Sequence, residues 1–231
     1  MPPLTGAQFI ADSLHAYGVT HVFFVPAILS HTLAELDKRT PIKRILTHGE
    51  KAAVYMADGY ARASGRVGVS FAQCIGAANL AAGLRDPYLA CSPLVVLTGG
   101  PYPQSRSRHV YQEIEDFPLF KPVTRYSARV DTVTRLPDTL RQAFRAATTS
   151  TPGPAHLELA GHLGELEQET ADLTVIPEPQ FGRTPPFRTR PDASAVREAA
   201  ALLGAASRPI IIAGGGARTS EAGAELRELA E

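Results

Sequence analysis

The chain has 231 residues, no tryptophan, two cysteines and no net charge. Cys74 and Cys91 cannot build a disulfide framework, and neither falls at a metal-ligand spacing. The balance of 23 basic and 23 acidic residues removes the usual mark of a nucleic-acid or acidic-membrane partner. No apolar run approaches the ~20 residues of a membrane span. No basic segment followed by an apolar core opens the chain, so no signal peptide is expected and a cytoplasmic location is the default. What remains, 44% apolar and 20% charged residues, describes an ordinary globular protein with length for one large domain or somewhat more.

Helical and strand signals alternate along the chain. Thr5 reads as the cap of a helix over residues 6–17 that Gly18 closes. A β-branched and aromatic run over 19–25 predicts a buried strand. Helix 30–38 and strand 42–46 follow, then a helix from Glu50 to about residue 63 that Gly65 stops. Strand 67–72, a small-residue helix 76–85 ending before Pro87, strand 94–98, helix 136–149 and strand 155–159 complete the pattern. Continuous apolar strands alternating with helices predict an α/β fold with a mostly parallel sheet and helices on both faces.

Composition then shifts. Residues 177–191 are rich in proline and predict a semi-rigid linker between a domain at 1–176 and a new unit at 192–231. The new unit reads as helix 193–206, strand 209–213, a Gly214-Gly215-Gly216 turn and a helix to the end. Two helices and one strand do not bury a core, so this unit is expected to be the incomplete start of a domain. The triple glycine lacks the spacing of a dinucleotide fingerprint.

Glu50 stands where strand 42–46 meets the following helix. Open α/β sheets bind ligands at the carboxyl ends of their strands. A carboxylate in a first helical turn also gains about 0.3–1 kcal/mol from the helix dipole, and position alone is explained by that gain.

The surrounding residues add more. His48-Gly-Glu50 is followed by Ala52-Ala53 and by Met56-Ala-Asp-Gly-Tyr-Ala-Arg62. Gly76-Ala-Ala-Asn79, Gly83-Leu-Arg-Asp86, Pro93-Leu-Val-Val-Leu-Thr-Gly99, Tyr111-Gln-Glu113, Leu119-Phe-Lys-Pro-Val-Thr124 and Gly153-Pro-Ala-His-Leu-Glu158 come after it in order. In this succession the chain resembles thiamine-diphosphate enzymes of the acetolactate synthase and 2-oxoacid decarboxylase group. Residues 4–165 resemble the pyrimidine-binding domain, and 192–231 the opening of the central domain. The resemblance implies that Glu50 bonds a ring nitrogen of the cofactor's aminopyrimidine. A proton shared there favours the tautomer of the amino group that can take the weakly acidic thiazolium proton, the cofactor then serving as electron sink. Such sharing near neutral pH calls for burial of the carboxyl in an apolar site. The resemblance further implies that Pro26, Gly76 and Asn79 line the cofactor. Ile28 and Gln112 would lie on the substrate side, the substrate being a small 2-oxoacid.

Two segments depart from the family pattern. Synthase-type sequences carry Ser-Gly-Pro-Gly where this chain has Gln73-Cys-Ile-Gly76. After strand 19–25 the family has Pro-Gly followed by Gly, Ser or Asp, whereas Pro26-Ala27-Ile28 stands here, which leans toward an apolar pocket or a carboligase. Tyr111 replaces a phenylalanine of the family. Cys74 has no basic sequence neighbour and reads as a small buried residue, not a nucleophile. Lys121, Arg106 and Arg108 read as solvated side chains, and His48, His109 and His156 as structural ones.

The family binds the diphosphate and its Mg2+ through a second domain carrying Gly-Asp-Gly, a tripeptide absent from this sequence. The resemblance therefore implies half an active site. The diphosphate domain would come from a second subunit of a homo- or hetero-oligomer, or from a C-terminal region of a longer chain. The rival reading is a non-catalytic binding or regulatory subunit that keeps the fold and the dimer surface.

Overall fold

The structure, a computed structural model, describes residues 2–26, 29–161 and 164–231. The chain divides into two compact units, residues 1–186 and 187–231. In the first, β1 (Leu4–Thr5) leads into α1 (Gly6–Ala16), β2 (His21–Phe24), α2 (Ser30–Arg39), β3 (Lys43–Leu46) and α3 (Glu50–Ser64). Then come β4 (Gly68–Ala72), α4 (Ala77–Gly83), α5 (Arg85–Leu89), β5 (Leu94–Gly100), β6 (Tyr126–Val130), α6 (Leu136–Thr148), β7 (Pro154–Ala160), α7 (Glu165–Gln168) and β8 (Thr170–Ala171). Six strands form one sheet in the order β3-β2-β4-β5-β7-β6. Every pairing in it is parallel. β1 and β8 pair separately and antiparallel.

The expected α/β class holds, and the burial pattern explains it. β4, β5 and β7 are buried at every position because helices cover both faces of the sheet. One face packs Leu14 of α1, Leu36 of α2 and Leu140 and Phe144 of α6. The other packs Ala53, Val54, Ala57 and Ala61 of α3 with Leu80 and Leu84. Local signals set the boundaries. Thr5 and Gln8 form a reciprocal capping box, and Gly18 and Gly65 adopt positive φ where α1 and α3 end.

Several expectations shift. The helix foreseen over 76–85 is a 3-10 turn at Cys74–Gly76, then α4, then α5, which admits Pro87 in its first turn, where no intrahelical amide is lost. β6 was not foreseen. It is an edge strand whose Ser127 and Arg129 interrupt the apolar pattern. The first half of the proline-rich stretch is docked on unit 1. Phe181 is buried, Val67 N–H donates to Gly182 O at 2.9 Å, and Thr184 N–H to Gly65 O at 2.9 Å. Glu178 accepts from Arg141 Nε at 3.3 Å and Arg145 Nε at 3.1 Å.

In the second unit, α8 (Ala193–Ala205), α9 (Gly215–Thr219) and α10 (Gly223–Ala230) contain no buried residue. The strand expected over 209–213 is not formed. Ile210 and Ile212 are 85% and 92% exposed. A strand exists only where a neighbour pairs its amides and carbonyls, and the described residues of this unit offer none. Among the described residues no helix is long and apolar enough to cross a membrane.

Helix α3 approaches β4 closely enough that a methyl group on Gly68 would lie 2.9 Å from the Ala57 carbonyl carbon. The Ala57 carbonyl is main chain of a packed helix and the methyl is fixed to the main chain of β4, so neither can yield cheaply. Gly68→Ala is expected to lower unfolding stability by about 1–3 kcal/mol in a denaturant titration.

Candidate active site

The sheet reverses its direction of growth at β2. From β2 the chain passes to α2 on one face, and from β4 to α4 on the other, so the carboxyl ends of these neighbours open a crevice between diverging loops. Three of the expected cofactor residues meet at its edge. Thr47 Oγ1 donates to Gly49 O at 3.0 Å and its N–H to Phe24 O at 2.9 Å, fixing the turn that follows β3. Glu50 then begins α3. Asn79 Nδ2 donates to Glu50 Oε2 at 3.3 Å. The backbone of Gly76 packs against the same carboxyl, where an added Cβ would fall 2.7 Å from Glu50 Cδ. Any larger residue at Gly76 would have to displace the Glu50 side chain, although Gly76 itself has ordinary helical dihedrals.

Pro26 stands exposed just beyond β2, on the same side of the sheet. Ile28 lies outside the described residues. The helix that follows, α2, has no side-chain cap of its own. Glu167 supplies one, its Oε2 accepting the Thr32 N–H at 2.6 Å. Glu50 is half-buried within this chain, and Leu46 and Ile75, its apolar neighbours along the strand ends, are exposed. The apolar enclosure expected of Glu50 is thus only partly built by these residues.

Gln112 reaches the crevice from the loop after β5. Gln73, directly after β4, donates through Nε2 to Gln112 Oε1, and Cys74 Sγ donates to Gln112 O at 3.3 Å. Gln112 is at positive φ, and its own Nε2 donates to Tyr111 Oη at 3.0 Å. Burial pushes the Cys74 thiol up to about 11, so it is protonated and unreactive at neutral pH, as its sequence surroundings suggested. His156 is fully buried between Thr98 Oγ1 (2.8 Å) and Ser127 Oγ (3.0 Å) and is stacked on Phe120. Burial, with Arg129 adding to it, holds His156 well below its ordinary range. It is a neutral core residue. His48, His109, Lys121 and Arg108 are exposed, and Arg106 pairs with Asp131 at 3.2 Å.

A second cluster was not singled out in the sequence. Glu158, near the carboxyl end of β7, is 4% exposed. Arg129 Nε of β6 donates to Glu158 Oε1 at 2.8 Å, and Arg129 Nη2 donates to Glu115 of the loop that carries Gln112. The signal that could have found it is the pair of charges at Arg129 and Glu158 inside otherwise strand-like runs.

Comparison with known proteins decides the family. Residues 4–119 match the family model described as thiamine pyrophosphate enzyme, N-terminal TPP binding domain. The chain belongs to the thiamine pyrophosphate enzyme family. It is 35% identical over 237 residues to a probable acetolactate synthase large subunit of Methanocaldococcus jannaschii, covering 99% of this chain and 39% of that one. It is 32% identical to an acetolactate synthase of Arthrospira platensis, over 99% of this chain and 40% of the relative. Against acetolactate synthase isozyme 1 large subunit of Escherichia coli K12 it is 30% identical, over 98% and 39%. The chain therefore spans about two fifths of the length of these relatives.

Pro26, Glu50, Gly76, Asn79 and Gln112 all fall inside the family match, whereas Arg129 and Glu158 fall beyond it. The second pair has a measurable signature. Burial pushes the Glu158 carboxyl from 4.5 up to about 7, against the lowering pull of Arg129 and Arg106 and with Glu115 adding to the rise. A carboxyl raised on folding stabilises below its unfolded value, and that stability is lost as pH rises through the folded value. Thermal unfolding should therefore show a falling midpoint from pH 5 to pH 8. Glu158→Gln, which keeps a hydrogen-bond acceptor for Arg129 but cannot titrate, should remove about 1–3 kcal/mol of that pH dependence. An unchanged slope in the variant would contradict the assignment.

Proposed function

We propose that this chain supplies the pyrimidine-binding half of a thiamine-diphosphate-dependent enzyme of the acetolactate synthase type, acting on 2-oxoacids. The observation that carries this reading is the joining of Glu50, Gly76 and Asn79 at the switch-point crevice. The three fit one edge of an aminopyrimidine. Glu50 offers a carboxyl able to share a proton with a ring nitrogen, and Gly76 removes the side chain that would keep a flat ring away. Asn79 holds Oε2, which turns the other oxygen toward the ring. When bound, the cofactor supplies an electron sink for bond cleavage and ligation beside a carbonyl.

The remaining roles follow from position. Pro26 walls the crevice after β2, and Gln112 faces the substrate. Carboligation is favoured over simple decarboxylation because Ile28 stands where decarboxylases of the group carry an acid or hydroxyl. Contacts to the diphosphate and the Mg2+ ligands would come from a Gly-Asp-Gly domain, carried by a second subunit or by a longer form of this chain. Among the described residues no group of three or more His, Cys, Asp or Glu could hold a metal. The same domain would complete the enclosure of Glu50.

The test assembles the chain with such a domain, thiamine diphosphate, magnesium and pyruvate, and measures carbon dioxide and acetolactate. Glu50→Gln is expected to cost on the order of 10²–10⁴-fold in turnover while circular dichroism and the unfolding midpoint stay as in the wild type. Full activity of the Gln variant would overturn the role of Glu50. Gly76→Ala should impair the same reaction by displacing the Glu50 side chain. The isolated chain should give no calorimetric signal with thiamine diphosphate at micromolar concentration. Tight binding by the chain alone would contradict the half-site arrangement.

A further inference from the structure

Gln112 lies within a loop, residues 101–116, that has no regular secondary structure. A loop of this kind holds one side chain in place only if it is fastened at several points. Its fastenings are polar. Glu113 accepts backbone N–H groups from Ser107 and Val110, which closes the loop on itself. Arg106 pairs with Asp131 at the end of β6. The last fastening reaches the sheet interior. Arg129, on β6, bridges outward to Glu115 and inward to Glu158. Its guanidinium also lies 4.5 Å over the ring of Phe117, which follows the loop.

The inward end of this bridge is anchored firmly. Glu158 is almost wholly buried on β7, and Gly100 of β5 lies so close that an added Cβ would fall 2.5 Å from Glu158 Cδ. Glu158 is packed closely on this side, and its hydrogen bond to Arg129 Nε at 2.8 Å holds the guanidinium in place. Arg129 is thereby oriented by the core, and its remaining donors are aimed at the loop. A planar guanidinium can hold two carboxylates and an aromatic face at once, and an ammonium cannot.

We propose that Arg129 is a positioning residue, which through its bridge from Glu158 to Glu115 holds loop 101–116 so that Gln112 meets Gln73 at the crevice. Only the step from Gln112 to substrate rests on the function proposed above. The bridge itself stands on the geometry of this chain.

Two variants separate positioning from simple support of the fold. Arg129→Lys keeps a positive charge beside Glu158 but cannot also reach Glu115 and cover Phe117. Glu115→Gln leaves the buried pair untouched. Hydrogen exchange on the 231-residue chain reads both. In each variant, amides of residues 105–113 should exchange about tenfold faster or more, while β4, β5 and β7 keep their protection. Unchanged loop exchange in both variants, or a uniform rise across the chain, would overturn the proposal. The assembled enzyme then tests the substrate step. Glu115→Gln should raise KM for the 2-oxoacid by about tenfold, with kcat and the affinity for thiamine diphosphate held. If the loop loosens while KM stays constant, the positioning role stands and the assignment of Gln112 to the substrate side falls.

Discussion

The close contact between α3 and the strands beneath it is the constraint on which the rest of this structure depends. Gly68 lets the main chain of α3 approach β4, and Gly76 lets the turn after β4 touch the carboxyl of the first residue of α3. Both contacts use the absence of a side chain, one at the start of β4 and one in the turn beyond its end. The first sets how closely the middle of α3 lies on the sheet, and the second how closely its first residue meets the turn before α4. The second contact brings Asn79 to Glu50. The small-residue face of α3, with Ala53, Ala57 and Ala61, serves the same closeness. A bulkier helix would bury more apolar area but would lift the carboxylate away from the crevice.

The fold was legible because its local signals agree with one another. Fully buried strands read as mostly apolar runs, and helix ends carry Thr5, Gly18 and Gly65 where capping requires them. Glu50 was legible through its succession of motifs, and the geometry adds what succession lacks, a direct bond to Asn79 and a contact with Gly76. β6 escaped because an edge strand under a polar loop has no continuous apolar run. Its Ser127 and Arg129 are spent on His156 and Glu158. The opposite error occurred at Ile210–Ile212. There a run with every local property of a strand stays unpaired, since strand formation needs a neighbour that sequence propensity does not supply.

Three buried polar groups in the first unit share an arrangement. Each has a specific partner from a neighbouring element: His156 between Thr98 and Ser127, Glu158 with Arg129, and Glu167 at the start of α2. Such pairs contribute less to net stability than their number suggests, because desolvation offsets most of the attraction. Their effect is on uniqueness. Glu167 fixes where α2 begins, beside the loop after β2, and Glu158 fixes the direction of Arg129. Both act at the carboxyl ends of the strands, where a shift in a loop would alter the crevice.

The docked portion of the proline-rich stretch bears on where the first domain can be excised. A cut after Ile176, at the composition change, would remove Glu178 and Phe181. Arg141 and Arg145 would be left as neighbouring cations with no shared carboxylate, and the Val67 amide before β4 would lose its acceptor. The exposed apolar wall left by Phe181 would abut α6. A recombinant domain ending after Pro186 keeps all of these contacts, so the natural seam for expression lies about ten residues beyond the one that proline content marks.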